Sequence, residues 1–473
     1  MNRWKKYFKA SKMCACTLLF IALLASVSFS QSNGSNSSAK GKPSPSPSAS
    51  PTPIPPVDTK CYVGSGCIDA AFGVNGLRML PGETMEATAL QSDGKIVTAG
   101  SGPGIGGPAD AVIVRMNPNG TLDNTFGDVD LQDPLVRLGY RYDDVDGLSN
   151  RARALAIQPD GRIVIGMTRV EQGVVQWTIV RLESNGDRDI TFGNGGVVRL
   201  NYWNSGIGLV INGIAVQSDG RIVASGGDWV ARFNYDGLPD TTFGTNGVVN
   251  NLAPIMSSSS IAIQVIQGQD RIVLGGYQTY TTGKGRTTQH NEYSVVRLLP
   301  SGQLDTSFGT GGKANAYFGF SDLLQGLAID ANNRIVAGGI VGTAGNQAAG
   351  IVRFTESGAL DLTFGSGTGK VSTLVNGYRT TSQDIILQPD GKIVSIGFSE
   401  SASAQNNLTL IRYSSDGLLD NSFGPGMLGS GIVTADFSGG STEYGQTGVI
   451  LQDGGIAAGG YTNAHSFFTR YIP

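Results

Sequence analysis

Apolar and polar residues alternate in short runs along most of the chain, and turn residues separate the runs. Residues 387–424 show this clearly, because three runs rich in Ile, Val and Leu are divided by two Asp-Gly pairs and a Ser/Asn-rich loop. Alternation with a period of two, bounded by Gly, Pro, Asp and Asn, predicts strands joined by tight turns. The stretch therefore predicts three antiparallel strands, followed by a Leu-Asp and a Phe-Gly segment.

The same pattern recurs, and its copies lie on average about 60 residues apart. An isoleucine after the first turn marks each copy, at Ile96, Ile163, Ile222, Ile272, Ile335, Ile393 and Ile456. An arginine ends the third run, at Arg115, Arg181, Arg232, Arg297, Arg353, Arg412 and Arg470. An aspartate closes each copy, at Asp69, Asp123, Asp189, Asp240, Asp305, Asp361 and Asp420, and a phenylalanine follows it, at Phe72, Phe126, Phe192, Phe243, Phe308, Phe364 and Phe423.

The closing halves begin one copy early, since residues 67–80 carry a closing half and residues 467–471 end the chain with an unclosed front half. A unit of this size with about four short strands is typical of a propeller blade. Joining the two ends in one sheet leaves no long unpaired strand edge between them. The sequence predicts an all-β fold, a seven-bladed β-propeller of four-stranded blades, in which the N-terminal segment adds the outer strand to the last blade.

Each blade is expected to hold strands a to d, as in residues 154–158, 162–166, 177–182 and around 196–198. The a–b turns contain Asp-Gly, where glycine supplies the positive φ of a hairpin turn. Blade five has Asn332-Asn333 instead, and asparagine also tolerates that conformation. Blade four has the sequence Gln-Gly-Gln-Asp at 267–270, for which the sequence leaves the turn geometry open.

The combined pattern Gln-x-Asp-Gly-Lys/Arg-Ile-Val, then Val-x-Arg, then Leu-Asp-x-x-Phe-Gly-x-x-Gly resembles the delta-60 repeat, a β-propeller repeat of bacterial secreted or surface proteins. The resemblance covers residues 67–471. It implies the propeller fold and a setting outside the cytoplasm, and it brings no shared catalytic residues.

The N-terminus reads as a targeting and linker region. Five basic residues lie within the first 12 positions and precede an apolar stretch from Cys14 to Phe29, which favours a signal peptide over residues 1–30. An uncleaved membrane anchor is the alternative. Residues 31–59 are rich in Ser, Asn, Gly and Pro and predict a disordered linker, and residues 60–473 form the propeller domain.

Two cysteines follow the signal segment, Cys61 and Cys67, and in an exported protein such a pair predicts a disulfide. The formal net charge of the chain is −3, and the five basic residues of the signal are included in it. Because there is no long basic run, nucleic acid is not expected as a partner. A monomer is expected, and contact with a membrane only through an uncleaved signal segment.

Strand alternation places the a–b and c–d connections on one face of the ring, and the b–c and d–a connections on the other. We call these the tight-turn face and the variable face. Loops that vary on a rigid scaffold are the natural binding surface, so a ligand is expected on the variable face or at the mouth of the channel. Candidate ligand-contacting residues are the aromatic and histidine side chains of these loops, Tyr202, Trp203, Tyr277, Tyr280, His290 and Tyr378. They also fit a structural role, plugging the channel or packing between blades.

Candidate chemistry is sparse. The repeated aspartate, beside a repeated arginine, is expected to be a structural ion pair, and the repeated phenylalanine a core residue. Residues 142–147 are rich in oxygen ligands but lack the spacing of a calcium loop. The two histidines, His290 and His465, fall in different blades, and no nucleophile-elbow, zinc-protease or phosphate-loop motif is present.

We therefore expect an exported, non-catalytic binding or structural propeller at the bacterial cell surface or outside it, without a cofactor, whose partner is a protein or a glycan. The alternative is a glycan-directed hydrolase or lyase. It would use loop carboxylates of the variable face at the channel mouth, and the acidic residues 128–152 are assigned to that face as the first d–a connection. A calcium-stabilised adhesion module is a third possibility.

Overall fold

The structure is a computed structural model that describes residues 66–473, except 103–108, 146–148, 172–173, 201–209, 251, 253–256, 283–287, 320, 344, 426–429 and 438–441. The described residues form 28 strands and no helix. The strands assemble into seven antiparallel sheets of four, as the repeat predicts. The predicted signal peptide and linker, residues 1–59, lie outside the described residues.

The strands of blades one to four, from the inner strand a to the outer strand d, are β2 (Thr84–Leu90), β3 (Ile96–Gly102), β4 (Asp110–Met116) and β5 (Tyr140–Asp143); β6 (Asn150–Ile157), β7 (Ile163–Glu171), β8 (Val174–Leu182) and β9 (Val197–Leu200); β10 (Gly213–Val216), β11 (Ile222–Gly226), β12 (Trp229–Phe233) and β13 (Val248–Val249); β14 (Ser257–Ile266), β15 (Gln269–Thr282), β16 (Thr288–Leu298) and β17 (Lys313–Ala316). Those of blades five to seven are β18 (Leu323–Ile329), β19 (Ile335–Thr343), β20 (Asn346–Phe354) and β21 (Lys370–Thr373); β22 (Asp384–Leu387), β23 (Ile393–Glu400), β24 (Asn406–Tyr413) and β25 (Ile432–Ala435); β26 (Tyr444–Ile450), β27 (Ile456–Tyr461), β28 (Ser466–Tyr471) and β1 (Leu77–Leu80).

The ring closes as the sequence predicts. Strand β1 pairs antiparallel with β28, from Leu77 opposite Thr469 to Leu80 opposite Ser466, and so becomes the outer strand of blade seven. The inner strands contact one another in the order β2, β6, β10, β14, β18, β22, β26 and back to β2. A closed circle of inner strands surrounds a central channel.

Apolar side chains fill the space between neighbouring blades. The seven core clusters correspond to the seven blade interfaces. At the closing interface, Phe72 and Phe468 of blade seven pack with Met85 and Val112 of blade one, and all four are fully buried. Because every sheet is covered on both faces, no blade can hold its core together without its neighbours.

The turns that the sequence left open are tight. In blade four, Ile266 pairs with Gln269, and the two residues between them, Gln267 and Gly268, have φ of 51° and 73°. Positive φ at both central positions is the two-residue hairpin turn whose twist matches that of the strands. In blade five, Asn333 has a φ of 58° and so occupies the left-handed conformation expected of it.

Two sequence assignments of loops are wrong. Residues 128–139 belong to the c–d connection of blade one, because the outer strand β5 begins only at Tyr140. Asp128, Asp130 and Asp133 therefore lie on the tight-turn face, as an insertion between the Phe-Gly segment and the outer strand. Residues 277–282 and 288–292 are not loop either, since they extend β15 and β16 into a long hairpin arm.

Candidate binding surface

The repeated arginines and aspartates form ion pairs inside the ring, as predicted. The distance between arginine and carboxylate oxygen is 2.7 Å for Arg181 and Asp189, and it lies between 2.7 and 3.1 Å in all seven blades. The last pair joins Arg470 to Asp69 and so spans the two ends of the ring. We call this arrangement the staple.

In blades one, two, four and five, the arginine of the staple also donates a hydrogen bond to a backbone carbonyl of the next blade. Arg181 donates a hydrogen bond to the backbone carbonyl of Tyr235 in blade three, and its guanidinium lies 4.5 Å from the ring centre of Phe192. The backbone N–H of Gly193, which follows that phenylalanine, donates to the carbonyl of Asp236 at 2.8 Å. Asp, Arg and Phe of the repeat thus hold the ring together, and their positions are structural.

Opposing effects set the pKa of the staple carboxylates. Burial raises the pKa of Asp189, but hydrogen bonds from the Thr191 hydroxyl and backbone N–H and from Arg181 lower it, and the net pKa lies below its ordinary value. Asp240, Asp305, Asp361 and Asp420 show the same net lowering. These carboxylates therefore stay charged at neutral pH and are poor candidates for a general acid.

On the variable face, the arm of blade four brings two predicted residues together. Tyr280 and His290 lie opposite each other on β15 and β16, with ring centres 5.6 Å apart in a stacked arrangement. Tyr317, which the sequence analysis did not single out, contacts both rings edge-on, and its hydroxyl lies 3.3 Å from Nδ1 of His290. Nε2 of His290 lies 2.9 Å from the hydroxyl of Thr282. We call Tyr280, His290 and Tyr317 the arm cluster.

Tyr277 and Tyr378 do not join this cluster. Tyr277 lies further down β15, opposite Ser257, and burial raises the pKa of its phenol. Tyr378 is 39% exposed in the connection from blade five to blade six. Tyr202 and Trp203 lie outside the described residues. The structure thus places two of the six predicted residues in contact.

A second group of side chains lies at the variable-face end of the channel, and the sequence analysis missed it. Glu86 on β2 forms ion pairs with Arg151 at 3.1 Å and with Arg153 at 3.4 Å, both on the neighbouring inner strand β6. The two arginine side chains are 43% and 30% exposed, whereas Glu86 is 19% exposed. One carboxylate between two guanidinium groups leaves a local positive charge in an acidic chain.

Aromatic rings adjoin this charged group. Tyr444 at the start of β26 stacks on Tyr461 at the end of β27, with ring centres 5.1 Å apart, and Phe398 of blade six contacts Tyr444 edge-on at 5.0 Å. Burial raises the pKa of Tyr461 to about 12; the nearby charge of Glu86 adds to the shift, and Arg151 and Arg153 oppose it. The phenol of Tyr461 therefore remains a hydrogen-bond donor at neutral pH.

Two of these charged residues, Glu86 and Arg153, occupy a strand position that all seven blades share. Glu86 and Arg153 are the extra residues of β-bulges, which lie between the paired residues Met85 and Ala87 and between Ala152 and Ala154. An equivalent position, four residues before the end of the inner strand in six blades and seven before the end of the longer β14 in blade four, is polar and half-buried in every blade: Glu86, Arg153, Asn212, Ser259, Gln325, Gln383 and Gln446. We call these seven residues the polar ring. Its signal in the sequence is this one polar position per repeat, whose residue type changes from blade to blade.

Four of the described carboxylates between residues 128 and 143 lie away from the channel. Asp143 is fully buried and pairs with Arg141 and Arg188, and Asp128, Asp130 and Asp133 lie on the opposite face. Asp146 lies outside the described residues. Among the residues that the structure describes, no group of three or more His, Cys, Asp or Glu side chains could hold a metal ion, and no helix is long and apolar enough to cross a membrane.

Exposed apolar side chains gather mainly on the tight-turn face. Leu131 and Leu135, in the insertion of blade one, are 80% and 95% exposed. The insertion is held by Arg137, whose guanidinium makes two hydrogen bonds to Asp187 of blade two at 2.8 and 2.9 Å. The two leucines are therefore presented on a well-connected loop.

A family described as a domain of unknown function (DUF5122) β-propeller matches six segments of the chain, residues 91–126, 158–192, 217–243, 269–308, 331–364 and 388–423. Each segment runs from the a–b turn of a blade to its closing phenylalanine, in blades one to six. The matches support a β-propeller repeat family for this chain. A comparison with curated proteins finds no match.

Solved structures with a similar fold include Sqt1 from Chaetomium thermophilum, at 15% identity and a TM-score of 0.41, covering 83% of this chain and 97% of that one. Sqt1 bound to the N-terminus of the ribosomal protein L10 gives 13% identity and a TM-score of 0.44, with the same coverage. A glucose dehydrogenase gives 11% and 0.37, covering 83% and 98%. At these TM-scores, the likenesses carry no inference about ligand or activity.

Proposed function

We propose that this β-propeller repeat protein is an exported, non-catalytic binding module, which acts at the bacterial cell surface or outside it and takes a protein or glycan ligand on its variable face. The observation that carries the proposal is the group at the channel mouth, where Arg151 and Arg153 flank Glu86 beside the stacked rings of Tyr444 and Tyr461. Partly exposed guanidinium groups next to aromatic rings are typical of recognition surfaces.

Within each repeat, the structural residues are separate from the candidate binding residues, and this supports the proposal. The residues that recur in every blade make the staple, which is buried and internally paired. The residues that differ between blades supply the polar ring and the arm cluster on the variable face. A rigid scaffold with variable side chains at one end suits ligand binding.

The proposed location rests on the N-terminal sequence, which combines a basic segment, an apolar stretch and a Pro/Ser linker. Fractionation of bacteria that express the full chain tests it. The protein is expected in the periplasmic, surface or culture fraction, with an N-terminus shortened by about 30 residues. Retention of the full-length chain in the cytoplasm would contradict the proposal.

Binding is tested with the protein purified from that fraction, on an array of bacterial and plant glycans and by crosslinking to bacterial surface proteins. Saturable binding that is lost in Arg151→Gln or Tyr444→Ala, but not in the tight-turn-face variant Leu135→Ser, is the expected result. If only Leu135→Ser abolishes binding, the ligand binds the tight-turn face, and this would contradict the proposal. Release of cleaved sugar from any bound glycan would contradict the non-catalytic assignment.

A further inference from the structure

The polar ring contains side chains that the fold does not use. Asn212 donates to the backbone carbonyl of Ser258 at 2.9 Å, and the hydroxyl of Ser259 donates to the carbonyl of Leu324 at 2.5 Å, so these members tie neighbouring inner strands together. In contrast, no side-chain hydrogen bond of Gln325, Gln383 or Gln446 is found within the described part of the chain. All three are half-buried, Gln325 on β18, Gln446 on β26, and Gln383 directly before β22 of the blade between them.

Three neighbouring amide groups with free donors and acceptors form one side of the channel mouth. Each glutamine amide offers two N–H donors and a carbonyl acceptor in one plane. Half-buried polar groups are only partly hydrated, so a ligand that forms hydrogen bonds with them gains more binding free energy than it would at fully hydrated groups. This side of the ring therefore favours a ligand that carries both donors and acceptors at short intervals.

The next blades around the ring add charge and an apolar surface. Gln446 lies on β26 two residues after Tyr444, which stacks on Tyr461. Beyond it, Glu86, Arg151 and Arg153 together carry one net positive charge, and Arg151 has the more exposed guanidinium of the two. Amides, stacked rings and a surplus guanidinium thus follow one another on consecutive blades.

We infer that the polar ring, together with the neighbouring Arg151, binds an anionic saccharide, with a carboxylate of the sugar on Arg151 and its hydroxyl groups on the amides of Gln325, Gln383 and Gln446. Each sugar hydroxyl is both donor and acceptor, and adjacent hydroxyls match the two-sided geometry of planar amides. The C–H face of a sugar ring can rest on an aromatic side chain such as Tyr444. This inference rests on the proposed binding function and narrows it to one site and one ligand class.

A peptide fits these groups less well. Extended peptides gain their affinity by adding a strand to an open sheet edge, or by placing apolar side chains in pockets. Bulges interrupt the inner strands at the polar ring, which disfavours continuous strand pairing there. Binding of an acidic peptide in place of a sugar is therefore an outcome that would overturn the inference.

The test uses calorimetry on the purified exported protein with tetrasaccharides of galacturonate, of mannuronate and of alternating glucuronate and N-acetylglucosamine. Each is compared with its own methyl ester, which keeps the hydroxyls and removes the charge. At least one acidic tetrasaccharide is expected to bind about tenfold or more tightly than its ester, since a charged hydrogen bond is lost on esterification. Equal binding of acid and ester, or no binding of any acid, would overturn the inference.

Variants locate the site. Arg151→Gln and Gln383→Ala are each expected to weaken binding by about fivefold or more. They should change the melting temperature little, because the ion pair of Arg151 is partly exposed and Gln383 makes no described side-chain hydrogen bond. Leu135→Ser, on the tight-turn face, is the matched control and should bind as the unchanged protein does, whereas Tyr280→Ala tests the arm cluster as the alternative site.

The outcomes separate the two proposals. If a saccharide or a protein binds, but Tyr280→Ala abolishes binding and Arg151→Gln does not, the binding function stands and the polar ring is not the site. If neither saccharides nor bacterial surface proteins bind the unchanged protein, both the proposed function and this inference fall. Loss of binding in Arg151→Gln together with loss of folding is resolved by Gln383→Ala, which must then weaken binding for the inference to stand.

Discussion

Nε of Arg181 lies 2.7 Å from Oδ2 of Asp189, and both side chains are only 1% exposed. The arginine ends the third strand of blade two, and the aspartate follows the next turn, so the pair closes the c–d connection. Through the same guanidinium, blade two reaches the backbone of blade three. The pair therefore links two blades as well as closing a local turn. Because both side chains are buried, substitution of either one should destabilise the protein.

Asp189→Asn is expected to destabilise the protein by about 3 kcal/mol, because it leaves the buried guanidinium of Arg181 without its main counter-charge. Chemical denaturation of the variant and the unchanged protein measures the difference. Glu400→Gln, which removes the more exposed pair with Arg379, should cost within about 1 kcal/mol.

The double variant Arg181→Met, Asp189→Asn separates two contributions to the loss of stability, the unpaired buried charge and the lost packing of the arginine side chain. It should be no less stable than Asp189→Asn alone, since no unpaired charge remains. A double variant that is far less stable than the single one would show that the packing of Arg181 on Phe192 dominates instead.

Gly186→Ala tests the contact between the phenylalanine of one blade and the turn of the next. A Cβ at Gly186 would lie 2.8 Å from the backbone nitrogen of Gly127 and 2.9 Å from the ring of Phe126, whereas a Cβ at Gly161 would meet nothing closer than 4.0 Å. Both glycines have φ near 87°, so the two alanine variants share the backbone strain. We expect Gly161→Ala to cost about 1 kcal/mol and Gly186→Ala at least twice that. Equal losses in thermal unfolding would remove the packing argument.

The sequence predicted the fold well because the staple residues are the ones that repeat. Arg181 and Asp189 recur in every blade at a fixed spacing, so their pairing could be inferred from alternation and count alone. Residues 128–139 were assigned to the wrong connection because the insertion has no counterpart in the other six blades. Because no other repeat aligns with this insertion, the sequence did not show that strand β5 begins only at Tyr140.

The binding surface was harder to predict, because its residues differ from blade to blade. Aromatic residues in apparent loops drew attention to Tyr280 and His290, and the structure shows that they lie on paired strands. Arg151 and Arg153 looked like ordinary residues at the start of an inner strand. Only the bulge and the closed ring bring them beside Glu86 of the preceding blade, which follows from three-dimensional geometry that single-strand patterns do not contain.

The pH dependence of stability should have two parts with opposite signs. Burial raises the pKa of Asp384 to about 6, although its carboxylate accepts backbone N–H groups of Gly448 and Ile385. A raised folded-state pKa means that the contribution of Asp384 is favourable at low pH and is lost as the pH rises from about 4 through 6. The staple carboxylates have lowered pKa values, so their contribution is present above pH 4 and is lost in stronger acid.

Asp384→Asn isolates the first part. Between pH 4 and 6 the unchanged protein should lose stability by about 1 to 3 kcal/mol relative to the variant, because only the carboxyl group must ionise. Denaturation at several pH values measures this difference. Parallel profiles for the two proteins across that range would show that another group titrates there.

The predicted disulfide between Cys61 and Cys67 would fasten the segment that closes the ring. Cys67 is buried, and its carbonyl accepts the backbone N–H of Ile472 at 2.8 Å, so this segment lies against the last residues of the chain. Intact mass of the protein purified from the periplasmic or culture fraction, before and after reduction with alkylation, reports the bond directly. The double variant Cys61→Ser, Cys67→Ser should be less stable by about 2 kcal/mol, the value for so short a loop. Two alkylated cysteines in the unreduced protein would contradict the bond.

Closure of the ring depends on the N-terminal segment that contains β1. Deleting residues 1–80 removes β1 and the partner of Arg470, and exposes the edge of β28 together with the apolar side chains around Phe468. Deleting residues 1–60 leaves all of these contacts in place. We expect the longer deletion to unfold at a much lower temperature and to aggregate, because an open edge strand and an uncovered core favour association.

A peptide of residues 66–82, added to the longer deletion, should raise the melting temperature in proportion to the logarithm of its concentration above Kd, since it binds only the folded ring. A scrambled peptide of the same composition is the control. If the deletion of residues 1–80 melts as cooperatively and at the same temperature as the deletion of residues 1–60, β1 does not close the ring. The geometry of the polar ring would then lose its basis, because Tyr461 of blade seven lies near Glu86 of blade one across that same closing interface.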